Sequence, residues 1–380
     1  MRLSGDWLRH PGTTALFQVL GDAGHQLLFV GGCVRNAIMK LPVGDIDLAT
    51  DAPPQVVSDL CSQAGLKVVP TGIDHGTLTV IAHGRPHEVT TFRRDVATDG
   101  RHAEVAFGTD IAVDAARRDF TMNALYATGD GTVVDPLGGL PDVLAGRVRF
   151  VGDPDARITE DYLRILRFFR FHAVYGEASL GIDADGLAAC AAHSAGIETL
   201  SRERIGHEMR KLLAAADPAP AIGAMVQANV LGRILPGADP RALAPLVHLE
   251  QDTDPDWLRR LAALGGEDVE DRLRLSRVEA RDLADLRVAI GNMETPAVLG
   301  WRLDAKRATD AMLLRGAILE TPLPLRWTDD VRRGASATFP ITAADLPDLT
   351  GAALGERLRA LQARWLSGDL RASREDLLKS

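Results

Sequence analysis

The stretch Leu27-Leu28-Phe29-Val30-Gly31-Gly32-Cys33-Val34-Arg35 decides how the first part of this chain is interpreted. Its four leading apolar residues predict a buried strand, and the two glycines predict a tight turn into a helix that runs to Lys40. Such a turn leaves backbone N–H groups free where an anion can approach closely. We therefore predict that Gly31, Gly32 and Arg35 bind phosphate, although a tight structural turn with a solvated Arg35 explains the same residues.

Two carboxylates follow the glycine turn, and they are two residues apart. Asp45 and Asp47 belong to a segment that alternates polar and apolar residues, as a half-buried strand does, so both are expected on one face. Side by side they repel each other unless a cation lies between them, and Mg²⁺ binds through a few carboxylates and substrate phosphates. An isolated pair of this kind is better explained by a solvated edge strand. Next to the phosphate-type turn, the pair predicts a metal-dependent nucleotide site of the two-metal type.

A third carboxylate, Glu88, begins a segment rich in β-branched residues. The segments Thr77–Ala82 and Glu88–Phe92 flank a turn at His83–Pro86, which predicts a hairpin. Glu88 would complete the metal site and accept a proton from an attacking hydroxyl. An exposed strand glutamate explains the position equally well.

The polar segment Asp95–Glu104 predicts a mobile loop.

The segment Arg117–Leu125 mixes charged, amide and apolar residues at the entry to a predicted helix. Arg118, Asp119 and Asn123 can bind phosphate oxygens and ribose hydroxyls there. The alternative is structural: Asp119 is then a helix N-cap, and the arginines are surface charges. The two roles are compatible.

Strand signals nearly vanish after Asp155. A long helical pattern runs over Ile158–Tyr175, and further helical patterns continue to Ser380. The length of 380 residues predicts two or three domains. We therefore expect a domain that mixes strands and helices, followed by an all-α region.

The composition excludes several classes of protein. The chain is 46% hydrophobic and 25% charged, which excludes a disordered or collagen-like protein. Its 52 acidic and 43 basic side chains give a net charge of −9, which argues against a uniformly basic nucleic-acid coat but allows a local basic site. Three separated cysteines predict no disulfide framework. No apolar run reaches the ~18 residues of a membrane helix, and the N-terminus lacks a signal-peptide pattern, so we predict a cytoplasmic protein.

Five motifs occur in an order that resembles one known family. They are Gly31-Gly32-x-Val34-Arg35, Gly44-Asp45-x-Asp47-Leu48, Arg117-Arg118-Asp119-Phe120-Thr121-x-Asn123-Ala124, Asp135-Pro136-x-Gly138-Gly139-x-x-Asp142-x-x-x-Gly146 and Glu160-Asp161-x-x-Arg164-x-x-Arg167-x-x-Arg170-Phe171. The chain resembles the class II tRNA nucleotidyltransferases, which are the CCA-adding enzymes, and their bacterial poly(A) polymerase relatives. Asn36 departs from the family, which usually has Asp there, and we interpret that position as structural. The segment Val69–Val80 is similar to the CCA-adding branch.

The resemblance implies an α+β fold with three parts. Residues 1–150 would form an N-terminal nucleotidyltransferase head with a small mixed β-sheet and flanking helices. Residues 151–215 would form a helical neck that binds the base and RNA, and residues 216–380 an all-helical body and tail that binds tRNA. The C-terminal half has no His-Asp phosphohydrolase motif, so we expect no additional hydrolase activity.

The family uses its Glu-Asp-x-x-Arg segment as a protein template for the incoming base, which assigns that role to Asp161 and Arg164. Three residues apart on a helix, they are expected to share one face. A carboxylate accepts from an amino group and a guanidinium donates to a ring nitrogen or carbonyl, so the pair can accept cytosine and adenine and reject uracil and guanine. A surface i,i+3 salt bridge is the alternative. Arg167 and Arg170 would assist, and Ser201–Ile205 resembles a further family segment that a helix N-cap with surface charges explains equally well.

The resemblance predicts an enzyme that adds C, C and A to the tRNA 3′ end from CTP and ATP without a nucleic-acid template. Mg²⁺ would bind to Asp45 and Asp47, and pyrophosphate would be released. Two enzymatic alternatives stay open, namely a poly(A) polymerase and an enzyme that adds only CC or only A. An alternative of another class is a non-catalytic RNA-binding protein on the same scaffold, which the presence of both metal aspartates and the base-reading pair disfavours.

Overall fold

The computed structural model describes residues 1–98 and 103–379, except for the side chains of residues 74 and 95–105. The chain divides into two compact units. The first unit comprises Met1–Glu208 and Pro220–Ile234, and the second comprises Met209–Ala219 and Leu235–Ser380.

A seven-stranded mixed sheet forms the centre of the first unit. The strands, in chain order, are β1 (Leu27–Val30), β2 (Asp47–Thr50), β3 (Lys67–Gly72), β4 (Thr77–Ala82), β5 (Arg85–Thr91), β6 (Arg93–Thr98), β7 (Ala103–Phe107), β8 (Tyr126–Ala127) and β9 (Val133–Val134). The order in the sheet is β3-β4-β5-β2-β1-β8-β9. Strands β2 and β5 are parallel, and the other neighbours are antiparallel. The small mixed sheet that the resemblance implied is confirmed.

The prediction of a mobile loop over Asp95–Glu104 was wrong for the residues that the structure describes. Strands β6 and β7 pair antiparallel there as a separate two-stranded sheet. The part of the prediction that falls on residues 99–102 lies outside the described residues. The prediction rested on the charged residues of this segment, although Val96 and Thr98 within it have high strand propensity.

Three helices flank the sheet in its first half, namely α1 (Pro11–Asp22), α2 (Gly32–Ile38) and α3 (Pro54–Gln63). Helix α1 packs against β4 and α3, and it buries Leu16 and Leu20, which are one turn apart on the same face. Strand β1 is buried along its whole length. The glycine turn that follows β1 is therefore attached to a rigid part of the core.

The helices that follow along the chain to Ile234 are α4 (Ile111–Ala116), α5 (Leu140–Ala145), α6 (Pro154–Glu160), α7 (Leu163–Tyr175), α8 (Ala184–Ala192), α9 (Arg202–Leu213), α10 (Ala219–Gln227) and α11 (Leu231–Ile234). The prediction of one continuous helix over Ile158–Tyr175 was wrong. Asp161 has an extended backbone (φ −156°, ψ 106°) between α6 and α7. Its Oδ1 accepts a hydrogen bond of 3.1 Å from the backbone N–H of Leu163. Such a local bond from an aspartate competes with a continuous helix, so the helix ends and starts again.

The second unit is helical. Beyond Ile234 the helices are α12 (Leu243–Leu249), α13 (Trp257–Leu264), α14 (Val269–Arg272), α15 (Arg277–Gly291), α16 (Pro296–Leu303), α17 (Ala305–Ile318), α18 (Trp327–Ser336), α19 (Gly351–Ser367) and α20 (Arg374–Leu378). The described residues of this unit contain no strand, as the sequence predicted. Within residues 1–98 and 103–379, no helix is long and apolar enough to span a membrane.

A buried ion cluster lies in the core of the second unit. Arg259 donates to Glu250 at 2.6 Å and to Asp310 at 2.5 Å, and Arg260 donates to Glu250 at 2.9 Å. All four side chains are nearly inaccessible to solvent. Arg260 also donates to the backbone carbonyl of Leu213 at 2.7 Å, at the end of α9. Lys306 also donates to Asp310 at 2.9 Å and to Asp256 at 2.6 Å, so the positive and negative charges of the extended cluster compensate one another.

Candidate active site

The antiparallel pairing of β1 with β2 places the glycine turn beside the acidic pair. Phe29 lies opposite Leu48, so two residues further on Gly31 is level with Ile46, between the two aspartates. Gly31 has φ +70°, a conformation that favours glycine, and its N–H donates to Leu125 O at 3.1 Å. The order of the sheet thus brings together two motifs that are separate in the sequence.

Three carboxylates lie next to one another at this point. The parallel register of β2 and β5 places Asp47 directly opposite Glu88. Burial and the negative charges of Glu88 and Asp45 raise the pKa of Asp47 to about 6, against the opposing effect of Arg118. Asp45 and Glu88 are exposed. Glu88 therefore faces Asp47, whereas Asp45 precedes β2, so the expectation that Asp45 and Asp47 lie on one face of a strand was wrong.

These carboxylates form a concentration of negative charge rather than a complete metal cluster. No three His, Cys, Asp or Glu side chains in the described part of the chain are grouped closely enough to hold a metal ion by themselves. Burial and the negative charges of Glu88 and Asp45 raise the pKa of Asp47, and a divalent cation would relieve the repulsion among these carboxylates. Carboxylate oxygens are also the donors that a hard divalent cation prefers, so the residues present fit such an ion.

Arg118 is held beside the glycine turn by a buried aspartate. Asp114, which is 1% exposed, accepts from Arg118 at 2.9 Å and from the Tyr126 hydroxyl at 2.6 Å. It also accepts from Arg117 at 2.8 Å. Burial raises the pKa of Asp114, but the charges of Arg118 and Arg117 outweigh burial and lower it overall. A Cβ on Gly31 would lie 3.7 Å from Nη1 of Arg118, so this guanidinium reaches the turn.

Sequence analysis missed the role of Asp114. Its distances of three and four residues from Arg117 and Arg118 are those at which side chains meet on a helix, and this spacing was the available signal.

Asp119 joins the segment before β8 to helix α7. Its Oδ1 accepts from Asn123 Nδ2 at 3.0 Å, and its Oδ2 accepts from Arg167 Nε and Nη2 at 2.7 and 2.5 Å. Burial acts to raise the pKa of Asp119, but Arg167 and the hydrogen bonds lower it overall. The structure therefore brings Asp119, Asn123 and Arg167 together, and both carboxylate oxygens of Asp119 bind within the protein.

Arg35 is buried under the turn and is 6% exposed. It donates to Asn123 Oδ1 at 2.5 Å, to Asn36 Oδ1 at 2.8 Å and to the Tyr175 hydroxyl at 2.8 Å. Its guanidinium carbon also lies 3.9 Å from the centre of the Tyr175 ring. Burial lowers the pKa of Arg35. Asn36 donates in turn to Pro42 O at 2.9 Å, a contact that matches the structural interpretation of that position.

The two predicted base readers do not share a helix face. Asp161 precedes α7, and its Oδ2 accepts from Arg204 Nη2 at 2.6 Å. Arg164 is on α7 and donates to Glu160 Oε2 at 2.5 Å and to Arg157 O at 2.9 Å. The expectation that Asp161 and Arg164 lie on one helical face was wrong, because the helix is interrupted between them.

Arg167 and Arg170 are directed toward helix α9. Arg170 is buried, and its Nε donates to Glu208 Oε2 at 2.6 Å. Nη1 of Arg167 lies 3.9 Å from Glu208 Oε1. Sequence analysis did not identify Glu208, which follows Arg204 by one helical turn. The spacing of four residues between these two charged positions was its only signal.

Comparison with known families defines the class of this site. Residues 27–149 match the model of the poly A polymerase head domain, and residues 180–241 match a model described as the probable RNA and SrmB-binding site of polymerase A. The glycine turn, the carboxylates and Arg118 all lie within the first match. The fold and the site are therefore those of a nucleotidyltransferase.

Individual relatives define the family more closely. The mouse mitochondrial CCA tRNA nucleotidyltransferase 1 is 31% identical over 395 residues, which cover 97% of this chain and 89% of the relative. The CCA-adding enzyme of Geobacillus thermodenitrificans is 34% identical over 320 residues, or 83% of this chain and 72% of the relative. The crystal structure of the Bacillus stearothermophilus CCA-adding enzyme in complex with CTP superimposes with a TM-score of 0.72 at 26% identity, covering 94% of this chain and 93% of that one. This chain belongs to the family of CCA-adding enzymes, the tRNA nucleotidyltransferases.

The resemblance inferred from the five motifs, the α+β fold and the assignment as a nucleotidyltransferase are confirmed by these findings. Nucleotidyltransferases of this family generally depend on a divalent metal ion.

Proposed function

We propose that this protein adds C, C and A to the 3′ end of tRNA from CTP and ATP, without a nucleic-acid template, and releases pyrophosphate. The observation that carries the proposal is the register of β2 against both β1 and β5, which brings the glycine turn to three carboxylates. Relatives named for this activity align with nearly the whole chain.

The acidic side chains have two roles in the proposed reaction. Asp45 and Asp47 would hold Mg²⁺, which when bound neutralises charge on the nucleotide phosphates. Glu88, opposite Asp47, is the carboxylate that we propose accepts the proton of the tRNA 3′-hydroxyl. This hydroxyl attacks the α-phosphate of the nucleotide in line, and pyrophosphate leaves.

The residues around the glycine turn position the triphosphate. Gly31 supplies the conformation of the turn and Gly32 the backbone N–H, while Arg118 supplies a positive charge beside them. Arg35 and Asn123 act beneath the turn, because their side chains already bind each other. Their contribution is therefore mainly to hold the phosphate and ribose sites in place.

Base selection is assigned to Asp161 and Arg164, with Arg167 and Arg170 in support. Asp161 would accept from the amino group of cytosine or adenine, and Arg164 would donate to the adjacent ring nitrogen or carbonyl. The two side chains belong to separate ion pairs, Arg164 with Glu160 and Asp161 with Arg204, and the five N–H donors of a guanidinium allow Arg164 to bind a base as well.

The test is to incubate the purified protein with tRNA transcripts that lack the 3′ CCA and with CTP, ATP or both. A completed CCA end supports the proposal. A long A tail would identify a poly(A) polymerase, a CC end or a single added A a partial enzyme, and no incorporation an RNA-binding protein. The variants Asp45→Ala and Asp47→Ala should lose incorporation while keeping the thermal unfolding midpoint of the parent. Activity in both variants would contradict the metal assignment.

The division into a head (residues 1–150), a neck (151–215) and a body with tail (216–380) stays a prediction, as does the cytoplasmic location. Vertebrate relatives, including the mouse enzyme, carry the designation mitochondrial. Fractionation of cells that express the full chain, with detection by antibody, would test the location.

A further inference from the structure

Tyr175, the last residue of helix α7, contacts an arginine of helix α2. Its hydroxyl accepts a hydrogen bond of 2.8 Å from Nη2 of Arg35. The centre of its ring lies 3.9 Å from the guanidinium carbon of the same residue, a distance typical of a cation–π contact. One side chain therefore connects the end of α7 to the helix that follows the glycine turn.

The partners of Arg35 are neutral groups. Its guanidinium donates to the side-chain oxygens of Asn36 and Asn123 and to the Tyr175 hydroxyl. The ring of Phe171 lies 5.2 Å from the guanidinium carbon, in addition to the ring of Tyr175. Within the part of the chain that the structure describes, Arg35 forms no ion pair. These contacts fix the guanidinium without cancelling its charge.

The charge of Arg35 lies directly beneath the glycine turn. A Cβ on Gly32 would lie 3.7 Å from Nη2 of Arg35, so the guanidinium reaches the backbone to which phosphate binding is assigned. Burial lowers the pKa of Arg35, since a buried cation with neutral partners is only partly compensated. An anion at the turn supplies the missing negative charge, and the attraction is strong because the site is shielded from water.

We propose that Tyr175 is a positioning residue for the triphosphate of the incoming nucleotide, because it holds the Arg35 guanidinium beneath Gly32 and leaves its charge available. The inference rests on the proposed nucleotide addition and on the phosphate role of Arg35. A carboxylate in place of Tyr175 would neutralise the guanidinium. An aliphatic side chain would leave Nη2 without this acceptor and without the face of the ring.

The triphosphate is common to all four nucleotides, so the effect of Tyr175 does not depend on the base. Loss of the tyrosine should weaken the binding of CTP and ATP by the same factor. It should leave the preference for CTP over UTP unchanged. This pattern differs from that of Arg164, which is assigned to the base, and from that of a partly unfolded enzyme, which has a lower kcat at the KM of the parent.

The experiment measures nucleotide binding and turnover separately. Calorimetric titration in the presence of Mg²⁺, with a CTP analogue that has a methylene group between its α- and β-phosphates, gives Kd without reaction. Steady-state kinetics give kcat and KM for CTP on tRNA transcripts without the 3′ CCA and for ATP on transcripts that end in CC. In Tyr175→Leu, we expect Kd and both KM values to rise about tenfold, with kcat within about twofold of the parent.

Tyr175→Phe removes only the acceptor and keeps the ring, so Kd should rise about threefold. This variant is nearly isosteric, so it tests the inference even where Tyr175→Leu fails to fold. Thermal unfolding midpoints show whether each variant is folded. Val174→Ala is the matched control, because Val174 precedes Tyr175 on α7 and is 40% exposed. Its Kd and KM values should equal those of the parent.

The outcomes separate the inference from the function on which it rests. If the parent completes the CCA end and folded Tyr175→Leu and Tyr175→Phe bind the analogue as tightly as the parent, positioning by Tyr175 is wrong while the proposed function stands. A fall in kcat alone, or an equal loss of binding in Val174→Ala, would also overturn the inference. If the parent adds no nucleotide, the proposed function fails, and the titration still decides whether Tyr175 supports binding of the triphosphate.

Discussion

Asp47 of β2 and Glu88 of β5 lie directly opposite each other in the only parallel strand pair within the described residues. This pairing places the Glu88 carboxylate, from the hairpin of β4 and β5, beside the Asp47 carboxylate of β2. It also explains why the pKa of Asp47 is raised, since burial and a facing negative charge both disfavour its ionised form.

We expect Glu88→Gln to reduce kcat for nucleotide addition by about 10²–10⁴-fold, the contribution typical of a general base. The amide keeps the size of the side chain but cannot accept the hydroxyl proton. Single-turnover kinetics with CTP would measure the effect. Glu177→Gln, which changes an exposed glutamate with a local hydrogen bond to Ser179, is the control and should keep the rate of the parent. A rate within threefold of the parent in Glu88→Gln would exclude the role of base.

Asp114→Asn should destabilise the protein by about 3 kcal/mol. The substitution leaves Arg117 and Arg118 without the buried carboxylate that binds both of them. Urea unfolding at pH 7 would measure the free energy of unfolding. We also expect KM for CTP to rise, because Arg118 would no longer be held beside Gly31. Unchanged stability together with unchanged KM would show that Asp114 does not position Arg118.

Acidification should destabilise the fold through His87, which is fully buried. Its Nδ1 lies 3.1 Å from Arg85 O, so Nδ1 carries the proton and Nε2 accepts from the Thr13 hydroxyl at 2.9 Å. Burial lowers the pKa of His87 below the usual histidine value of about 6.5. Below that pH the unfolded chain binds a proton that the folded chain resists, so the free energy of unfolding falls as the pH drops.

Urea unfolding at pH 7.5 and 5.5 would measure this dependence, with an upper limit of about 1.4 kcal/mol per pH unit for one histidine. His172 has a pKa lowered by burial and adds to the same trend, whereas Asp47, whose pKa is raised to about 6 by burial and by Glu88, opposes it. The comparison with His87→Gln therefore isolates His87. The variant should be less stable at pH 7.5 but less sensitive to acid. The same pH dependence in both proteins would refute the assignment.

Arg164→Ala should impair the choice among nucleotides more than the dependence on metal. The guanidinium is the proposed donor to the base, and it lies on α7, whereas Asp47 lies on β2. We expect the preference for CTP over UTP to fall by about ten- to a hundredfold, as when a polar contact to substrate is lost. Titration with Mg²⁺ should give the same half-saturation as the parent. An unchanged order of preference among the four nucleotides would refute templating by Arg164.

Local motifs were sufficient to predict the glycine turn and the strand that contains Asp47, and the resemblance implied the mixed sheet. Each depends on neighbours in the sequence, as in Gly31-Gly32 or the alternation around Asp47, and the order of the motifs indicated the family. The same information predicted that Asp119, Asn123 and Arg167 belong to one site, and the structure brings them together.

Features that depend on competition between interactions could not be predicted in this way. Helical periodicity continues through Asp161, but its side-chain bond to the backbone of Leu163 interrupts the helix. The sequence gives no sign that Arg35 is covered by Tyr175, which is 140 residues away. The strand pairing that brings Glu88 to Asp47 likewise arises from the register of the sheet.

The buried ion cluster of Arg259, Arg260, Glu250 and Asp310 constrains how the second unit can evolve. Replacing Glu250 removes the buried carboxylate that binds both Arg259 and Arg260, at a cost of about 3–5 kcal/mol, which is a large part of the stability of an ordinary domain. Apolar residues of similar volume at all four positions would not carry this cost. A lineage that accepts one substitution at a time must therefore cross an unstable intermediate, so these four residues should be exchanged between relatives as a set.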